Sequence, residues 1–230
     1  MAELVSKILG TARGKIGDVV FKRFKNGKVF FSTHKGSNVI SKSKKCVDNR
    51  TRFNNAVKFA KAVNSLPELR KIWKSSAIEG RSAYTKIMSY NIKLFHETNP
   101  AKTNKICPPG FGFHADNIKI NNNSVSVDIM LGSDNSNLIN KIFTANFVVA
   151  LFDRKPDKEE YTFPYAIAST VYISANESEY QNVTAYFDSF QKENVEAFTR
   201  AIVFFTFTNT ESKRFIHSGS LARETYIIQL

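Results

Sequence analysis

Cations interleaved with aromatic rings are the residues of this chain best equipped for chemistry. Lys15, Lys22, Arg23, Lys25, Lys28 and Lys35 run together with Phe21, Phe24, Phe30 and Phe31. Lys42, Lys44, Lys45, Arg50 and Arg52 extend the run. Cations in such a pattern neutralise phosphates, and flat rings offer stacking platforms for bases. The same residues also suit an assembly arm. There the rings bury against a partner, while the lysines stay in water and guard the strand edges. Both readings are binding chemistry.

Residues suited to catalysis or metal binding do not come together along the chain. His34, His96, His114 and His217 are scattered, and none has a second ligand at the short spacing of a zinc site. The pair His114 and Asp116 lacks a nucleophile motif such as G-x-S-x-G. Glu159-Glu160 reads as solvated loop charge, and Asp128 and Asp134 lack the calcium-loop pattern. Gly14-Lys15 has Gly10 only four residues before it and Ile16 after it, so it departs from the phosphate-binding G-x-x-x-x-G-K-[ST]. Cys46 and Cys107 lack CxxC spacing and read as free thiols, which suits a reducing compartment. The expectation is a protein that is not an enzyme, with no catalytic residue, metal or cofactor.

The cationic residues must be positioned by a hairpin. Gly10, Gly14 and Gly17 read as hinges. Asn26-Gly27 lies between two Val- and Phe-rich runs, the strongest short hairpin signal, because a type I′ turn needs positive φ at both central residues. A two-residue loop there sets Phe24 opposite Val29, Arg23 opposite Phe30 and Lys22 opposite Phe31. One face then carries Val20, Lys22, Phe24, Val29, Phe31 and Thr33, and both faces mix rings with cations. An isolated hairpin is marginal in water, so this one needs something to dock on. Residues 35–47 read as a basic linker.

Three helices are expected next. Asp48 is the candidate N-cap of the first, in which Phe53, Ala56, Val57, Phe59, Ala60 and Val63 recur at helical spacing. Pro67 starts the second, with Leu69, Ile72 and Trp73 inward. Ser82 caps the third, with Tyr84, Met88, Ile92 and Phe95 on one stripe. After Pro108-Pro109-Gly110 the pattern turns to strands: 124–131, 143–152, 161–174, 180–187, 200–208 and 222–230, with Asn121-Asn122-Asn123 as a tight turn and a short helix over 189–198. Seven or so strands at this spacing read as an antiparallel, immunoglobulin-like β-sandwich. The expected class is α+β, in three parts: a basic arm (1–47), a three-helix unit (48–105) and the sandwich (106–230).

Charge divides the same way. Residues 1–105 hold 23 Lys+Arg against 6 Asp+Glu, a net of +17. Residues 106–230 hold 10 against 14, a net of −4. The cationic half calls for nucleic acid or an anionic surface, and the anionic half of a neighbouring copy is one such surface. MAELVSKILG is too short and interrupted for a signal peptide, and no apolar run is long enough to span a membrane. A cytoplasmic protein, or one incorporated into an assembled particle, is expected.

The run G-x-x-x-G-K-x-G-D-V-V…N-G-K, followed by Arg50-x-Arg52-Phe53-x-x-Ala56-Val57-x-Phe59-Ala60, resembles an uncharacterised family. That family is found in Bacteroidota, in relatives of Ignavibacteria, and in phage-associated regions of their genomes. Its members join a glycine-rich basic hairpin to a helical segment, here including Ser82-Ala83-Tyr84, and a C-terminal β-sandwich. The resemblance implies a structural protein of a virion-like particle or a nucleic-acid-associated protein, and brings no catalytic residues. The leading expectation is a self-associating structural protein, a homo-oligomer locked by its arm. The second is a binder of DNA or RNA through the same arm.

Overall fold

The computed structural model describes residues 14–16, 19–23, 29–33, 42–96, 99–130, 138, 141–156, 164–173, 180–210 and 215–228. The chain forms two compact units, Met1–Ser43 and Lys44–Leu230. Helices and strands make it an α+β protein. The helical segment and the strands that follow share the second unit, because they share a core.

The first unit contains a three-stranded antiparallel sheet: β1 (Gly14–Ile16), β2 (Val19–Arg23) and β3 (Val29–Thr33), in that order. The glycine-rich segment thus supplies a strand, with Gly14 opposite Phe21 and Lys15 opposite Val20. Between β2 and β3 the pairs are Arg23–Val29, Lys22–Phe30 and Phe21–Phe31. This differs by one residue from the pairing that a two-residue Asn26-Gly27 loop demands. Five residues separate Arg23 from Val29, and an odd number between partners does not fit a two-residue loop. Gly10, Gly17, Phe24, Lys25, Asn26, Gly27, Lys28 and Lys35 lie outside the described residues.

The second unit opens with α1 (Lys44–Ser65), α2 (Pro67–Ser75), α3 (Ala83–Asn91) and a 3-10 turn, Ile92–Leu94. α1 begins four residues before Asp48, so Lys44 and Lys45 are helical rather than part of a linker. Pro67 occupies the first turn of α2. Ser82 and Thr85 form a capping box on α3, each side chain meeting the other's backbone N–H at 3.2 and 2.9 Å. The fully covered stripe of α3 is Ala83, Ile87 and Asn91, while Tyr84, Met88 and Ile92 pack half-buried beside it.

Seven strands then follow one continuous order. They are β4 (His114–Asn121), β5 (Ser124–Met130), β6 (Ile142–Arg154), β7 (Tyr165–Ile173), β8 (Gln181–Tyr186), β9 (Phe198–Asn209) and β11 (Leu221–Ile228). The order is β7-β6-β9-β11-β4-β5-β8, with the short β10 (Ile216–His217) added to β9. All pairs are antiparallel except β11 with β4. The two ends of this order, β7 and β8, lie against each other. Tyr172 on β7 donates to Gln181 Oε1 on β8 at 2.7 Å. The strands expected as two facing immunoglobulin-like sheets therefore form one sheet, curled into a nearly closed barrel.

Alternation decides what each face meets. On β6 and β9, Phe143, Phe147, Val149, Val203, Phe205 and Phe207 fill the barrel interior, joined by Val125, Val127 and Ile129 of β5. The intervening residues Val148, Ala150, Ile202 and Phe204 point outward into a second core under α1, α2 and α3. That second core holds Phe59, Leu69, Ile72, Trp73 and Ile87, all fully buried. Both faces of β6 and β9 are covered, which is why their sequences are nearly continuous apolar runs. The helical layer is pinned by polar bonds. Trp73 Nε1 donates to the Ile106 carbonyl at 2.7 Å, and buried Asn91 donates to Ile87 O and Lys105 O and accepts from Lys105 N.

Candidate functional site

The cation-and-aromatic set is split between the two units. Lys15, Phe21, Lys22, Arg23, Phe30 and Phe31 fall on the three-stranded sheet. The register sets Lys22 opposite Phe30 and Phe21 opposite Phe31. Lys22 is exposed, as is Lys42 just before α1. Lys44, Lys45, Arg50 and Arg52 belong to the second unit, on α1.

α1 changes character halfway along. No residue from 44 to 55 is buried, whereas Ala56, Phe59, Ala60, Ala62 and Val63 are. The first half carries Lys44, Lys45, Arg50 and Arg52 against a single acid, Asp48, and exposes Val47 and Phe53. A helix rises about 1.5 Å per residue, so this cationic stretch is about 18 Å long. The sequence signal for it was the continuation of the basic run; only its start, residues 44–47, was read as linker, because it has no apolar period.

A polar cluster that no sequence motif marks lies beneath β9 and β10. Cys107 Sγ is 3.4 Å from His217 Nδ1. Thr206 Oγ1 and Ser218 Oγ lie 2.9 Å apart, and Ser218 Oγ accepts from Phe207 N at 2.9 Å. A thiol beside an imidazole resembles a nucleophile pair, but its environment opposes that role. Cys107 is fully buried, and loss of solvent pushes the thiol up from 9.0 to about 12, partly offset by a bond with Thr206. Nucleophilic cysteines need the opposite shift and access to solvent. The cluster instead ties the 107–112 segment to the loop after β10. Phe111 N donates to His217 O at 3.2 Å and Gly219 N to Phe111 O at 2.9 Å. Gly110 lies so close that a Cβ there would sit 2.2 Å from His217 O.

An array of ion pairs occupies the outer face at β9 and β11. Arg200 Nη1 lies 2.9 Å from Asp153 Oδ2, and Nη2 bonds Glu224 Oε1. Lys102 Nζ is 3.4 Å from Glu224 Oε2. The bond from Arg200, with Lys102 assisting, holds the Glu224 carboxyl below the usual carboxylate range, against a smaller opposing effect of desolvation. These four residues are far apart in sequence, and nothing in the chain's local pattern predicts that they meet. His114 and Asp116 sit exposed on β4, and among the described residues no three His, Cys, Asp or Glu side chains converge as metal ligands. No helix among them is long and apolar enough to cross a membrane. No known protein family, curated protein or solved structure matches the chain.

Proposed function

We propose that the chain is a non-enzymatic assembly protein that associates with copies of itself through its N-terminal arm. One observation carries this reading: the arm makes its own three-stranded sheet within a separate compact unit, while the second unit has two cores of its own. Three strands of three to five residues enclose little apolar surface, and such sheets gain stability by docking. The outer strands β1 and β3 offer edges for strand addition. The barrel-like body is the building block, in place of an immunoglobulin-like sandwich. Its excess of acids over 106–230 complements the cationic arm of a neighbour. A phage-like particle or filament is the setting that the family resemblance suggests. Light scattering on a chain lacking residues 1–43 tests the lock: the expected outcome is a fall to monomer mass, and an unchanged oligomer overturns the reading.

Nucleic-acid binding is the second reading, favoured by the cationic first half of α1, in which no residue is buried, beside the basic arm in sequence. Affinity for a generic duplex or single strand is then expected to fall steeply with salt. Absence of micromolar binding at about 50 mM salt removes this reading.

A further inference from the structure

We propose that the recess at β9 and β11 is a binding site for a neutral sugar ring. Lys102, Arg200, Glu224, Thr225 and Tyr226 line an open hollow of about 400 Å³, within the ~300–1,000 Å³ typical of small-ligand sites. One side is the ion-pair array of Lys102, Glu224, Arg200 and Asp153, in which two cations and two carboxylates cancel. The other side is Tyr226, which stands directly opposite Arg200 in the strand register and is 72% exposed. The Arg200 guanidinium lies 6.0 Å from the centre of its ring, which restrains the ring's position.

This combination selects among ligand classes. An inorganic anion meets two carboxylates and a cation meets two positive groups, so neither gains net attraction. An apolar ligand would strip water from four charged groups without replacing their hydrogen bonds. A sugar ring suits both walls. Each hydroxyl donates and accepts, so neighbouring hydroxyls can bridge the remaining N–H groups of Arg200 and the remaining lone pairs of Glu224. The C–H face of the ring, with its partial positive charge, stacks on the electron-rich face of Tyr226.

The test is saturation-transfer NMR on the full chain with methyl glucoside, methyl galactoside, N-acetylglucosamine, maltose and cellobiose, each to about 10 mM, and inorganic phosphate as the anion control. At least one saccharide is expected to bind with a Kd on the order of 1 mM. Tyr226→Ala and Glu224→Gln should each weaken it by about tenfold or more, while Tyr226→Phe keeps it. Both positions are exposed, and thermal melts check that each variant stays folded. Failure of every saccharide to bind overturns the proposal. So does binding that survives both Tyr226→Ala and Glu224→Gln, or competition by phosphate. The site lies within Lys44–Leu230.

Discussion

The outer face of the barrel has two halves built on opposite terms. Across β7, β6 and β9 it presents Tyr165, Val148, Ala150, Ile202 and Phe204 to the helices, and all are buried. Across β4, β5 and β8 it presents Lys119, Asn121, Ser124, Ser126, Asp128, Asn182, Thr184 and Tyr186, and none is buried. One rung runs through the bare half in register, from Lys119 through Ser126 to Thr184. The same barrel interior backs both halves, so the difference is not one of fold. Polar side chains on the bare half bond one another: Asn117 and Asn182 both donate to Asp128, at 3.0 and 2.7 Å. The helical layer is therefore an addition whose footprint is written into alternate residues of three strands.

Truncation should separate the halves most strongly. Phe204 is fully buried between sheet and helices, with its ring 5.4 Å from that of Phe59. Phe204→Ala is expected to cost about 3–5 kcal/mol in chemical denaturation. Tyr186→Ala, at a residue 74% exposed on the bare half, should cost within about 0.5 kcal/mol. Equal losses would break the comparison. A smaller but large effect is expected at the seam that carries the helical layer's connection back to the barrel. Gly110→Ala places a Cβ 2.2 Å from the His217 carbonyl, and such overpacking costs about 1–3 kcal/mol. It should also shift the amide signals of Phe111 and Gly219, whose backbone bonds cross that seam.

Thiol chemistry sharpens the contrast further. Cys46 on the uncovered half of α1 is exposed, and Cys107 under the covered face is buried. A disulfide-exchange reagent should therefore titrate Cys46 in the native protein and both thiols in denaturant. The raised thiol of Cys107 also sets a pH dependence. Its folded pKa lies above its unfolded one, so the contribution is complete below pH 9.0 and lost as pH rises towards about 12. Burial also raises Tyr165 and raises Tyr172 to about 12, so they add to the loss once pH passes the usual tyrosine value of 10.0. Cys107→Ala should remove the part of the decline that begins between pH 9.0 and 10.0.

What could be read from the sequence follows from how local its cause is. The Ser82 cap, Pro67 in the first turn of α2 and the alternation of β5 each depend on neighbouring residues, and each is legible. The hairpin pairing was off by one: Val29 faces Arg23, where a two-residue Asn26-Gly27 loop would set it against Phe24. β4 was overlooked because its alternation breaks at Asn117, where the register with β5 shifts between Asp116 and Lys119. The start of α1 was hidden by polar residues with no covered face. The ion-pair recess was invisible, since Lys102, Asp153, Arg200 and Glu224 meet only through sheet order. The barrel itself escaped notice because strand spacing cannot tell one curled sheet from two facing ones.

The smallest effect tests whether the bare half is shaped deliberately by its bulge. Asn117 sits at φ 46°, a left-handed value, and its amide donates to Asp128 at 3.0 Å. Left-handed backbone costs an ordinary L-residue about 1–2 kcal/mol, less for asparagine. Asn117→Ala loses the bond and takes on the full cost of a left-handed L-residue, so it should destabilise by about 1–2 kcal/mol. Asn117→Gly loses the same bond but relieves the strain, so the two effects should nearly cancel in a denaturation midpoint. If Gly costs as much as Ala, the amide bond rather than the backbone sets the bulge, and the bare half is held by its polar surface. If Gly is neutral, the bulge is set by backbone conformation rather than by the polar surface.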